Sequence, residues 1–147
     1  MTEKYRGATI LVPVKGNSAD EEVIRQASMI AKKNRATIYV VSVVVVKQEL
    51  ALESDLPEEV AHGEKVLEAA CRIAQEIGVE VETGILQARS AGVAIVEEAV
   101  VRSAALIMMA VSYRNRKGEF NMGRTVPYVL KNAPCRVWVF REELQKN

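Results

Sequence analysis

The chain is poor in the residues that announce chemistry. It has two cysteines, one histidine and four prolines, and aromatic residues make up only 5% of its 147 positions. Cys71 and Cys135 stand far apart and form no metal or redox motif. The longest unbroken apolar run, Ala104–Val111, falls far short of the ~20 residues of a membrane-spanning helix. The start, Met1–Gly7, is polar and leads straight into an apolar segment, which is not the pattern of a signal peptide. Charge is nearly balanced: 20 Lys+Arg against 19 Asp+Glu leaves a net +1. That gives no electrostatic reason to expect nucleic acid or an anionic membrane as partner. With hydrophobic residues at 49%, the chain is too apolar for a disordered one. The expectation is a cytoplasmic, single-domain protein, with a core from about Gly7 to Arg141.

What is present is an alternation of apolar runs and helix-period segments. Ala8–Val12 reads as a buried strand closed by Pro13, and Gly16-Asn17-Ser18 as a turn and helix cap. Val23, Ile24, Ala27, Ile30 and Ala31 recur at helical spacing up to Asn34. Thr37–Val46 is a second strand, so rich in valine that both faces need cover. An unpatterned stretch, 47–57, reads as a surface excursion. Glu58 and Glu59 open a second helix, with Val60, Leu67, Ala70, Cys71, Ala74 and Ile77 on one face and Gly78 as its C-cap.

Val79, Val81, Thr83 and Ile85 alternate with Glu80, Glu82 and Gly84, the pattern of a half-exposed edge strand. A third helix begins at Gly92 with Val96, Ala99 and Val100 inward. Leu106–Val111 is a central strand, Ser112–Met122 an Arg-rich loop, and Val126–Lys131 a short helix capped by Thr125. Arg136–Phe140 is the last strand. Five strands alternating with four helices imply an α/β fold, an open doubly wound parallel sheet with helices on both faces. Ligands of such sheets sit beyond the carboxyl ends of the strands, where strand order reverses. The segments Pro13–Ser18 and Ser112–Thr125 are therefore the places to look for function.

Three blocks in this order resemble universal stress protein domains: Ile10-Leu11-Val12-Pro13-Val14, then Ala104–Ala110, then Asn132-Ala133-Pro134-Cys135-Arg136-Val137-Trp138-Val139. The resemblance spans essentially the whole chain. It implies a Rossmann-like, adenine nucleotide alpha hydrolase-like sheet of five strands in the order 3-2-1-4-5, and a homodimer. ATP-binding members of that family carry a loop G-x2-G-x9-G-[S/T] after the fourth strand, whose bare amides cradle phosphates. Laid over this chain, its positions fall on Ala110, Tyr113, Gly123 and Arg124, so only Gly123 keeps the pattern. Those members also tend to have an Asp where this chain has Lys15. ATP held in the family's usual way is therefore not expected.

The loop has gained cations instead: Arg114, Arg116, Lys117 and Arg124, with Lys15 across the cleft. Two readings stand, a solvated or structural loop and a side-chain grip on ATP or another phosphorylated small molecule. On the second, the ligand contacts implied with the family's help are Pro13, Val14, Lys15, Val43, Ala110, Arg114, Arg116, Gly123, Arg124 and Thr125. No cofactor and no metal is expected on the first.

Other candidates read as structural. His62 has no identifiable acid–base partner and is taken as a surface helix residue. Cys71 lies on an apolar helix face, and Cys135 lacks a group that would activate it. Ser90, Ser112 and Thr125 sit in no nucleophile elbow. No catalytic constellation is found, so the chain is not expected to be an enzyme. In the last strand, Val137 and Val139 point to one face and Trp138 and Phe140 to the other. Pairing with the same strand of a second copy would cover this apolar edge, whereas a monomer would have to tuck it under the polar tail 141–147.

Overall fold

The computed structural model describes residues 5–112 and 122–143. The elements are β1 (Thr9–Pro13), α1 (Asp20–Asn34), β2 (Thr37–Val45), α2 (Pro57–Ile77), β3 (Val81–Ala88), α3 (Ala91–Val101), β4 (Leu106–Val111), α4 (Thr125–Asn132) and β5 (Arg136–Arg141). The strands form one parallel sheet in the order β3-β2-β1-β4-β5, as expected. Strand order reverses between β1 and β4, and the helices divide accordingly. α1 and α2 cover one face through Ile10, Val12, Val23, Ile24, Ala27, Leu67 and Ala70. α3 and α4 cover the other through Leu11, Val41, Ile95, Ala99, Ile107 and Val129. Leu106, Ile107 and Met108 are wholly buried, which is why β4 carries no polar residue.

Local chemistry sets the helix ends. α1 has Asp20, Glu21 and Glu22 in its first turn and Lys32 and Lys33 in its last, matching the helix dipole at both ends. Pro57 opens α2, where its missing N–H costs nothing, and Gly78 closes it at φ 94°. Two expected caps are not made. The N-cap position of α1 is Ala19 and not Ser18, whose hydroxyl donates to Glu142 instead. Thr125 is the first residue inside α4 rather than its cap, because Arg124 takes the flanking position. Ser90 does cap α3, accepting the Val93 amide at 3.4 Å.

The stripe assigned to α3 also shifts. Ala94, Ile95 and Ala99 face inward, while Val100 is 59% exposed. α3 is apolar almost all round, so its spacing alone did not choose the buried side. Cys71 is half-buried, beside a core stripe of Gly63, Leu67, Ala70 and Ala74. β3 is an edge strand as its alternation predicted, paired among the described residues only with β2. The excursion between β2 and α2 is fastened to the end of β3. Gln87 Nε2 donates to the carbonyls of Leu52 (2.9 Å) and Ser54 (3.1 Å), and Arg89 donates to that of Lys47. Among the described residues no helix is long and apolar enough to cross a membrane.

Candidate functional site

β1 and β2 end side by side, with Pro13 opposite Val41, and the chain turns away from both over the same edge of the sheet. A cavity of about 500 Å³ lies there. Its walls come from the end of β1 (Pro13, Val14, Lys15), the end of β2 (Ser42–Val45), and the starts of α2 (Glu58, Glu59, His62), α3 (Ala91, Ile95) and α4 (Thr125). The position is the one that a doubly wound sheet offers a ligand. The volume is within the usual range for small-molecule sites.

The loop leaving β1 is held closed by its own helix. The amides of Lys15 and Gly16 both donate to Asp20 Oδ2, at 3.1 and 2.6 Å, and Asn17 Oδ1 accepts the Ala19 amide at 3.0 Å. Gly16 sits at φ +90°, and a Cβ there would lie 2.9 Å from Val66 Cγ2 on α2. Burial pushes the Asp20 carboxyl above its ordinary value, and the amides of Gly16, Lys15 and Asn17 oppose that only in part. The turn is thus tied down at both ends, by a carboxylate on α1 and by a steric stop on α2.

Five of the residues expected at a ligand site come together in this cavity: Pro13, Val14, Lys15, Val43 and Thr125. Ala110, Gly123 and Arg124 are not in its wall. Ala110 lies within β4 opposite Phe140 and packs against the core on the α1 side. Gly123 has φ +68°, a backbone conformation that suits glycine, and Arg124 is exposed at the start of α4. Arg114 and Arg116 fall outside the described residues, as do Tyr113 and Lys117.

The sequence reading missed more than half of the cavity wall. Ser42, Val44 and Val45 could have been found from the pairing of β2 with β1, which puts every residue after Val41 at the same rim. Glu58, Glu59 and His62 were read at the start of the second helix, where the structure has them, but no linear spacing shows that this helix start comes to lie over the ends of β1 and β2. His62 is exposed, as expected, yet it also walls the cavity, and its Nε2 would lie 3.2 Å from a Cβ on Gly16. The cavity is apolar along Pro13, Val14, Val43, Val44 and Ile95, and among the described residues Glu58, Glu59 and Lys15 are the charged groups in its wall. Burial pushes the Cys135 thiol up, the reverse of what a reactive thiolate needs. Among the described residues no cluster of His, Cys, Asp and Glu could hold a metal ion.

A parallel sheet wound in both directions, with a cavity over the carboxyl ends of its inner strands, defines the class of doubly wound α/β domains. Within that class the assignment is specific: the family model of the universal stress protein family matches residues 8–141, and the chain belongs to that family. It is 30% identical over 142 residues to a universal stress protein of Methanocaldococcus jannaschii, covering 90% of this chain and 81% of that one. Two structures of a universal stress protein from Archaeoglobus fulgidus share the fold. One has a TM-score of 0.76 at 23% identity, covering 90% of this chain and 97% of that one. The other, in complex with dAMP, has a TM-score of 0.72 at 22% identity, covering 90% and 96%.

Proposed function

We propose that the chain is a non-catalytic regulatory or adaptor module that works as a homodimer and does not hold ATP in the way ATP-binding members of its family do. One observation carries this reading: the main-chain donors at the end of β1 are already committed. The Lys15 and Gly16 amides are bonded to Asp20, so the turn after β1 offers neither N–H group to a ligand. The substitutions point the same way. A side chain stands at Ala110 and at Tyr113 where the family's loop has glycine, and Lys15 stands where it has Asp.

A second reading is favoured by the cavity itself. An apolar pocket of about 500 Å³ closed by three helix starts is more than a family fold needs for structure alone. The Archaeoglobus relative in complex with dAMP supports a small nucleoside phosphate as its occupant. On this reading the module senses a nucleoside or its monophosphate, and the occupied state is what a partner detects.

Isothermal titration calorimetry on ligand-stripped protein tests both. The expected result is saturable heat with AMP and little with ATP. Micromolar ATP binding that vanishes in Arg114→Ala or Arg124→Ala would overturn the first reading, and no saturable heat with any nucleoside or nucleotide would overturn the second.

A further inference from the structure

The excursion 46–56 joins two walls of the cavity and lines neither. It starts after Val45, the last wall residue of β2, and ends at Pro57, next to the wall residue Glu58. Both of its ends are fixed. Val46 is buried, with its amide on the Ala88 carbonyl at 2.8 Å, and Pro57 is the first residue of α2. Between them the excursion turns on itself: the Leu50 amide donates to the Lys47 carbonyl and the Ser54 amide to that of Ala51, each at 3.0 Å.

Among the described residues, two side chains at the end of β3 tie this stretch down by hydrogen bonds. Gln87 Nε2 carries two N–H donors and forks onto the carbonyls of Leu52 and Ser54, while Arg89 Nη1 donates to those of Val46 and Lys47. Gln87 is the register partner of Val44, so the tie lies one strand away from the cavity wall. The fork is open to water, which competes for the same carbonyls and keeps its net strength small. The excursion also leaves apolar side chains in solvent. Leu50 is 40% and Leu52 39% exposed, and Val45 on the cavity wall is 55% exposed. Apolar residues scattered singly over a surface need no explanation, but three between positions 45 and 52, beside an apolar cavity, do.

We propose that Gln87 is a latch that holds the excursion back from the cavity mouth, and that its release lets Leu50 and Leu52 fold over Val45 and close the cavity. The latched state is the open one, in which no residue of 46–56 belongs to the wall. Closing gives up water-competed hydrogen bonds and removes apolar surface from water, two opposing terms of similar size. The balance is therefore small, and a ligand or partner that touches the excursion can shift it. The proposal concerns access to the cavity and needs no identified ligand.

The test is the rate at which dithionitrobenzoate labels Val43→Cys, a thiol in the cavity wall, in a parent protein that also carries Cys71→Ser and Cys135→Ser. Gln87→Met keeps the length of the side chain and removes both donors. It should slow labelling about fivefold or more, the scale of two neutral hydrogen bonds. Gln87→Glu, which has no donor and repels the two carbonyls, should do the same, and circular dichroism checks the fold of each variant. Adding Leu50→Ser and Leu52→Ser to Gln87→Met should return the rate to within about twofold of the parent, because closure has lost its apolar drive. Labelling that is unchanged or faster without the Gln87 donors would overturn the latch, as would slowing that survives the two serines. A parent that does not label at all would overturn it too, because the latched cavity would then be closed.

Discussion

Asp20 Oδ2 accepts the Gly16 amide at 2.6 Å, so the first turn of α1 reaches back and clasps the loop that brought the chain out of β1. The family resemblance implies an Asp just after this strand in ATP-binding members, and here the position is Lys15. Asp20 returns a carboxylate to the same turn from the helix side, but spends it on the turn's own amides. Sequence, local geometry and ligand chemistry meet in that one exchange.

The clasp has a signature in pH. Burial raises the Asp20 carboxyl above its ordinary 3.8, so the native state holds this proton more tightly than the unfolded chain does. The stability this adds is complete below the ordinary Asp value and is lost as pH rises through the raised native value. Asp20→Asn removes the titration. Urea unfolding of both proteins between about pH 3 and 7 should show the variant gaining on the wild type as pH rises across that window, then a constant difference. A difference that moves the opposite way would mean that the amides outweigh burial.

Gly84 on β3 is required by a neighbour on β2. A Cβ there would lie 2.0 Å from Tyr39 Oη and 3.0 Å from Cζ, and the Tyr39 ring is fixed by the Arg102 guanidinium 3.4 Å from its centroid. Gly84→Ala should cost about 1–3 kcal/mol in urea unfolding, the usual penalty of overpacking. Adding Tyr39→Phe removes the nearest atom and should recover part of that loss. Additive losses in the double variant would show that the two positions do not press on each other.

The two helices of the opposite face are set by a similar approach. A Cβ on Gly92 would fall 2.8 Å from Tyr128 Cδ1, so α3 and α4 meet closely only because Gly92 has none. Both helices begin at the cavity, through Ala91 and Thr125. Gly92→Ala should lower stability by about 1–3 kcal/mol, and most of the added cost should vanish in a Tyr128→Ala background. If thermal unfolding shows the same penalty in both backgrounds, some contact other than Tyr128 sets the helix spacing.

The fold was legible in the sequence because its signals were strong and single-valued. Leu106–Val111 reads as a strand covered on both faces, and the alternation of Val81, Thr83 and Ile85 with Glu80, Glu82 and Gly84 reads as an edge. Signals that several positions could satisfy misled. Val100 fits the helical period as well as Ile95 does, and only the packed structure chooses between them. Ser18 and Thr125 are good capping residues, yet each helix starts one residue away from where its cap was expected. The cavity was only partly legible for a related reason. Motif spacing finds the end of β1, but Ser42, Glu58 and Glu59 reach the site through strand pairing and helix placement, which no linear spacing carries.

The outer edge of β5 carries the remaining prediction. Val137 and Val139 pack toward α3 and α4, and Trp138 and Phe140 toward α1, with the Trp138 ring edge-on to Tyr5 at 5.8 Å. All four are only half-buried, and among the described residues β5 pairs with β4 alone. An edge strand with apolar residues on both faces is a template for another strand, and its own symmetry mate covers it by two-fold pairing. Size-exclusion with light scattering should therefore give the wild type twice the mass of one chain. Val139→Asp should shift it toward a single chain, while Trp138 fluorescence checks that the variant is folded. A wild type that already runs as a monomer would remove the homodimer from the proposed function.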